Sequence, residues 1–403
     1  MTTDSATIMA FASGHLGDDV ATLLLNREKY PGVDMNLAVQ QIEGMRQATE
    51  KWPSLAASCC FLFPPRLNRE QSSSEATAKL KCKIVAPLLP AGATMADLTG
   101  GMGIDTLAFS TIAGSSICYV EKEAQLCELM SFNAKATGHS NIAVVNGDSM
   151  EWLASRERRF DLIFIDPARR SKIGSKVSAF EDCTPDILEN MDLLRSRCDL
   201  LMVKASPMVD IDKAVVQLGE VREVHVVALK GECKELLFVC GKRAGEATIV
   251  CHNILDNRNT CEETFTLTRS SEASAEVFWS DSVRRYLYEP NAALLKAGAF
   301  RSVGERWGLA KLDHNTHLYT SDRLVEDFQG RIFAVIGEVK LRKREIAEAI
   351  PEGRAHVVTR NYPVEASSLQ KSIGLKEGGE LYVVATTVAG RKMGMLCRVA
   401  VRG

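Results

Sequence analysis

The chain has 403 residues, of which 46% are hydrophobic and 25% charged, and its formal net charge is −2. That length allows two or three domains with sizeable cores, and the composition is that of an ordinary soluble globular protein. No apolar run approaches the ~20 residues a bilayer-spanning helix needs, and Met1-Thr2-Thr3-Asp4 has neither the basic nor the apolar stretch of a secretory signal. No membrane association and a cytoplasmic location are therefore expected. The twelve cysteines include no C-x-x-C pair, and Cys59-Cys60 are adjacent. This is neither a zinc pattern nor a disulfide framework, so no metal site is expected.

Residues 1–78 read as a helical region. Leu16, Val20, Leu23 and Leu24, then Leu37, Ile42 and Met45, recur at helical spacing, with a break at Tyr30-Pro31-Gly32. After a proline-rich loop, Ser72-Ser73-Ser74 caps a helix expected to run to about Leu89. Between 79 and 243 short apolar strands alternate with helices. The strands are expected at Thr94–Leu98, Ser116–Val120, Ile142–Asn146, Leu162–Ile165 and Leu200–Lys204, and the alternation predicts a parallel sheet covered on both faces. Two further strands, near Glu223–Leu229 and Glu235–Cys240, are separated by too few residues for a helix and predict a hairpin. Beyond Lys242 the rhythm changes. One unit is expected over 244–324, with a helix near Asn291–Gly298. Another is expected over 325–403, with strands near Arg331–Ile336, Ala355–Thr359, Leu381–Ala385 and Gly394–Val401 and helices at Lys340–Ala349 and Ser367–Ile373.

The strongest chemical signal is Asp97-Leu98-Thr99-Gly100-Gly101-Met102-Gly103 at the end of the first strand. Glycines there let the backbone turn with positive φ and approach a ligand, at the strand edge where open α/β sheets bind theirs. A dinucleotide fingerprint needs a third glycine where Thr106 stands, and Asp97 is awkward beside a pyrophosphate. An acid at that place suits a cofactor with a cationic amino-acid end. Glu121 ends the second strand, about twenty residues on, where a carboxylate binds ribose hydroxyls. Asp148 follows the third strand and Asp166 ends the fourth. Acids before helices are ordinarily N-caps, but four at successive strand ends, beside a glycine loop, point to a ligand.

Together, Asp97-x-x-Gly-Gly-x-Gly, Glu121, Asp148 and Asp166-Pro167-Ala168-Arg169 resemble class I S-adenosylmethionine-dependent RNA methyltransferases, including the guanine exocyclic-amine methylases and cap trimethylguanosine synthases. Five parallel strands with a terminal hairpin is also that family's Rossmann-like plan. Closer still is the resemblance to a bacterial family with a ferredoxin-like domain and a C-terminal THUMP-like domain after the methyltransferase core. It is carried by Glu70–Ala78, Tyr288–Gly298 and Thr359-Arg360-Asn361-Tyr362-Pro363 and covers nearly the whole chain. The resemblance implies a methyltransferase domain at 79–243, a ferredoxin-like domain at 244–324 and a THUMP-like, RNA-binding domain at 325–403. It implies S-adenosylmethionine (SAM) bound by Asp97, Gly100, Gly101, Gly103, Glu121 and Asp148, with Ser74 and Thr77 lining the end that holds the cofactor's carboxylate. It implies RNA, ribosomal or transfer, as the partner.

In amine methylases the fourth-strand loop holds the target nitrogen through its Asp and a backbone carbonyl, so Asp166 and Pro167, with Arg169 after them, are read as catalytic. Ala168 and Arg169 depart from that family's second proline and aromatic. Arg169 instead offers a guanidinium that stacks on a base or holds a phosphate. Lys204, ending the fifth strand, faces the same cleft and is read as touching an anionic substrate, with a snorkelling lysine as the competing view. From Arg331 to the C-terminus thirteen Lys and Arg face seven Asp and Glu, an excess of six against the overall −2. Lys340, Arg342, Lys343 and Arg344 form the densest basic run. With Arg360, beside Tyr362, they are expected to contact RNA. Two other readings remain at this stage: a protein or small-molecule methyltransferase, and a non-catalytic RNA-binding module on a vestigial methyltransferase fold.

Overall fold

The computed structural model describes residues 5–401 apart from 59, 170–179, 181–182, 243–244 and 257–261, so the boundary expected at 243/244 lies outside the described residues. The chain forms two compact units: Met1–Val227 with Lys234–Ala247 and Asp256–Cys261, and Ala228–Cys233 with Thr248–Leu255 and Glu262–Gly403. Among the described residues no helix is long and apolar enough to cross a membrane, and all ten cysteines are free.

The first unit is built on a sheet of β1 (Thr94–Asp97), β2 (Ser116–Glu121), β3 (Ile142–Asn146), β4 (Phe160–Ile165), β7 (Cys198–Ala205), β8 (Val221–Leu229) and β9 (Glu232–Cys240). A short antiparallel ribbon, β5 (Ala168–Arg169) with β6 (Cys183–Thr184), follows β4. The main strands lie in the order β8-β9-β7-β4-β1-β2-β3. Those from β7 to β3 are parallel, and β9 runs antiparallel beside β7. Runs such as Leu162-Ile163-Phe164-Ile165 are buried throughout because helices cover both faces. Register then sets the functional edge: Asp97 pairs with Tyr119 and Phe164, Glu121 with Asn146, and Ile165 with Val203. The carboxyl ends of β1, β2, β3, β4 and β7 thus open on one side.

The N-terminal region is helical, as its spacing predicts. Asp34 caps the helix Met35–Lys51 by accepting the N–H groups of Asn36 and Leu37. Its buried face includes Ala38, Val39, Ile42, Gly44 and Ala48. Gly44 is required there, since a Cβ would stand 2.4 Å from the Phe63 side chain. Trp52, Phe61 and Phe63 pack with Met102, Ile104, Tyr119 and Met130, so the helical layer closes directly over the glycine loop. The helix expected to reach Leu89 ends at Val85 and continues as a 3₁₀ turn over Ala86–Leu88. Pro87 explains this, since it has no N–H and its ring crowds the preceding turn.

Beyond Ala228–Cys233, the second unit contains the antiparallel pair β10 (Thr248–Ile254) and β11 (Glu262–Leu267). The rest is one eight-stranded sheet. Its strands are β12 (Phe278–Trp279), β13 (Tyr286–Pro290), β14 (Ala310–Lys311), β15 (Tyr319–Ser321), β16 (Gly330–Glu338), β17 (His356–Arg360), β18 (Leu381–Val388) and β19 (Arg391–Val401). They lie in the order β12-β14-β15-β13-β16-β19-β18-β17. Segments read from sequence as separate units, 244–324 and 325–403, therefore share a sheet, joined where β13 pairs antiparallel with β16. The helix expected at Asn291–Gly298 is Ala292–Ala297, capped by the Asn291 side chain and by left-handed Gly298. The helix expected from Lys340 starts at Lys343, leaving Lys340 and Arg342 ahead of it.

Candidate active site

The carboxyl edge of the first unit's sheet holds a cavity of about 920 Å3, lined among others by Asp97, Gly101, Glu121, Asp148, Asp166 and Lys204. The loop after β1 is shaped by its glycines. Gly101 and Gly103 have φ of +53° and +83°, and a Cβ on Gly100 would lie 2.3 Å from the buried Tyr119 ring. The Tyr119 hydroxyl donates to the Gly101 carbonyl at 2.6 Å. Glu121 fixes the loop from the other side: Oε2 accepts the Gly101 N–H and Oε1 the Glu123 N–H, both at 2.9 Å. A carboxylate has about four lone-pair sites, so capacity for ligand hydroxyls remains.

Asp97 is buried beneath the loop. Its Oδ2 accepts the Thr106 hydroxyl at 2.6 Å and its Oδ1 the Thr99 N–H at 3.1 Å. Burial pushes its pKa up to about 7 despite these bonds. A buried acid poised like this suits a cationic partner. Thr106, which excludes the dinucleotide fingerprint, thus has a role of its own. Asp148 lines the cavity while capping the helix Ser149–Ala154 through the N–H groups of Met150 and Glu151. Its Oδ1 is committed to both of those bonds.

Ser74 and Thr77 are placed differently from the expectation. Ser74 caps the helix Glu75–Val85 by accepting the Thr77 N–H at 3.2 Å. Both residues are buried and stand outside the cavity lining, which Ser72 and Ser73 supply instead. A cap turns its side chain back onto the helix, so its neighbours meet the cavity.

On the substrate side Asp166 and Pro167 line the cavity, and the Asp166 N–H donates to Thr99 Oγ1 at 2.7 Å, tying this loop to the glycine loop. Arg169 pairs through its backbone with Cys183; its side chain lies outside the described residues. Lys204, read as a substrate contact, places its ammonium 2.5 Å from Asp166 Oδ2. Burial opposes its charge, but Asp166 and Glu235 hold its pKa above the ordinary lysine value. Sequence reasoning missed Lys81, Asp105 and Glu235, which lie behind these groups. Lys81, fully buried, contacts Asp105 Oδ1 at 3.0 Å and Glu235 Oε1 at 2.8 Å. The signal for Glu235 is a charge at the head of the apolar run Leu236–Cys240, within a strand. Among the described residues no His, Cys, Asp and Glu group has the makings of a metal site.

The basic residues of the second unit stand apart in character. Lys340, Arg342, Lys343 and Arg344 are exposed. Arg344 pairs with Glu348 at 3.1 Å, and Arg342 approaches Glu345 at 3.9 Å. Arg360, expected on RNA, is half-exposed and pairs with buried Glu289, which also accepts Arg331 at 2.5 Å.

The strand order, with an antiparallel β9 inserted between β7 and β8, and a glycine loop framed by Asp97 and Glu121, define a class I SAM-dependent methyltransferase. Residues 286–328 match the model of a ferredoxin-like domain and 330–399 that of a THUMP-like domain. A protein of Porphyromonas gingivalis W83, described with its crystal structure as a candidate methyltransferase, is 31% identical over 100% of both chains, with a TM-score of 0.85. SAM-dependent methyltransferases of Mycobacterium tuberculosis strains CDC 1551 and H37Rv are each 25% identical over 230 residues, or 56% of this chain and 60% of theirs. The chain belongs to the family of the Porphyromonas protein: SAM-dependent methyltransferases with ferredoxin-like and THUMP-like segments after the catalytic core.

Proposed function

We propose that the protein transfers a methyl group from SAM to a base of structured RNA, ribosomal or transfer, with an exocyclic amine such as that of guanine as acceptor. The observation that carries this reading is that Asp166-Pro167 and the glycine loop line one cavity. SAM, held by the glycine loop with Asp97 and Glu121, would supply an electrophilic methyl; as the acceptor nitrogen's lone pair forms N–C, the C–S pair would leave with S-adenosylhomocysteine, and the nitrogen's surplus proton would pass to Asp166 or to solvent. Asp166, with the Pro167 carbonyl, accepts the amine's N–H groups and aims its lone pair. Such catalysis is chiefly positioning, with a reacting distance of roughly 3–3.5 Å. Lys204 holds one Asp166 oxygen and so fixes the carboxylate's orientation. The THUMP-like segment and the exposed run Lys340–Arg344 support RNA as the partner, through phosphate contacts that position rather than specify.

The test is mass spectrometry of nucleosides from RNA of a strain lacking the gene, restored with wild type or with Asp166→Ala. One methylated nucleoside is expected to vanish, return with wild type and stay absent with Asp166→Ala. Purified Asp166→Ala is expected to keep its affinity for S-adenosylhomocysteine (SAH). An unchanged nucleoside set, with SAH binding intact, would move the substrate to a protein or small molecule.

A further inference from the structure

Six side chains scattered from Ser73 to Glu235 make one continuous chain behind the cavity. Ser73 Oγ donates to Asp105 Oδ2 at 2.6 Å. The Lys81 ammonium lies 3.0 Å from both Ser73 Oγ and Asp105 Oδ1, and 2.8 Å from Glu235 Oε1. Glu235 Oε2 is 3.9 Å from the Lys204 ammonium, which donates to Asp166 Oδ2 at 2.5 Å. Signs alternate along it: Asp105, Lys81, Glu235, Lys204, Asp166. Its two ends touch the cavity, Ser73 and Asp105 beside the glycine loop and Lys204 and Asp166 at the substrate loop. Lys81 and Glu235, the middle pair, are buried.

Stability is a poor explanation for this chain. Desolvating buried ion pairs offsets their attraction, and apolar packing of the same volume serves a core as well or better. What a linked chain of fixed charges does supply is orientation. Burial works against the charge on Asp105, yet Lys81 beside it holds its pKa below the ordinary carboxylate value. Losing one link leaves its neighbours with an uncompensated charge, so the ends cannot reorient independently. We propose that Lys81, Glu235 and Lys204 are positioning residues that tie the cofactor end of the cavity to Asp166, so that a bound cofactor orders the carboxylate receiving the acceptor amine. This rests on the methyltransferase reading of the cavity.

The experiment is hydrogen exchange of the full-length protein with and without SAH, in wild type, Lys204→Gln, Lys204→Arg and Glu235→Gln. In wild type, SAH is expected to slow exchange at the Asp166 and Ala168 amides as well as at the glycine loop. In Lys204→Gln and Glu235→Gln the glycine loop should still respond and the Asp166 segment should not, with SAH affinity within about threefold of wild type. With SAM as donor and total RNA from the deletion strain as acceptor, the rate at saturating SAM should fall at least about tenfold in both. The KM for SAM should hold, and Lys204→Arg should recover part of the rate. Protection at Asp166 that persists in both Gln variants, or SAH affinity falling in step with rate, would make the chain a purely structural feature and overturn the proposal. Should Glu235→Gln fail to fold, Lys204→Gln, at the cavity wall, decides alone. Absence of SAH binding to wild type would be a different failure, that of the cofactor reading itself.

Discussion

The cleft of the first unit and the basic run of the second use the same ionisable side chains to opposite ends. Behind the cleft, Lys81 is wholly buried, and it, Asp105, Glu235, Lys204 and Asp166 are paired with one another across elements. In the run from Lys340 to Arg344 the charges stand in water, and the pairs they make, Arg342 with Glu345 and Arg344 with Glu348, are neighbours on one helical turn. Exposed pairs of that kind contribute ~0.2–1 kcal/mol, whereas a buried charge left alone costs several. A charged residue in the cleft is therefore committed to a geometry, and one in the basic run is free to meet a partner.

The largest effect expected from this contrast belongs to Asp97. Its carboxyl binds its proton up to about pH 7 in the fold, against a value of 3.8 when unperturbed. A raised folded pKa means the stability it contributes is complete below about pH 4 and is lost as the pH climbs to about 7. By linkage this amounts to about 4 kcal/mol at most. Asp97→Asn should lack that slope, as unfolding measured in urea across pH 4–8 would show. At pH 6, SAM binding should release a proton in wild type, detected as a dependence of binding enthalpy on buffer ionisation, and not in Asp97→Asn. A wild-type stability as flat as the variant's would mean Asp97 is an ordinary surface-like acid.

Glu121→Ala comes next. It removes the acceptor for the Gly101 and Glu123 N–H groups together with the carboxylate proposed for ribose. Losing a charge-assisted bond costs ~1.5–3 kcal/mol, tenfold or more in SAH affinity by calorimetry. Unaltered affinity would break the assignment of this loop to the cofactor. The smallest effect lies in the basic run. Replacing Arg342, Lys343 and Arg344 by Ala should flatten the log–log salt dependence of RNA binding by up to about two units and leave SAH binding alone. An unchanged slope would class the run as a solvated face and break the comparison at its other end.

What the sequence made legible followed from local rules. Alternating apolar strands, the Asp97–Gly103 turn and the cap residues Asn291 and Gly298 each act within a few positions, so pattern alone located them. What it hid was non-local. Lys81 meets Glu235 across 154 positions, and nothing near either residue in the chain announces the other. The serine run shows a finer limit. The family resemblance points Ser74 at the cofactor and the capping rule points it at its own helix, and one step along the chain separates a cap turned onto its helix from Ser73, which lines the cavity. Arg360 illustrates a third kind of loss: the cation was visible, but its engagement with Glu289 depends on the pairing of β13 with β16.

That pairing has a consequence for how the C-terminal half is made and kept. Residues 286–328 and 330–399 match two separate domain models, yet β16 sits between β13 and β19 as an interior strand. At the junction the chain is so tight that a Cβ on Gly330 would stand 2.1 Å from the Glu289 carbonyl. Cutting the chain between them would strip β16 of one neighbour and present the backbone of Gly330–Glu338, with Ile332 and Phe333 among its side chains, as a raw sheet edge. Such edges recruit other strands and aggregate. The THUMP-like segment matches its own domain model by sequence, but it shares its sheet with the ferredoxin-like segment and is expected to aggregate when expressed without β13.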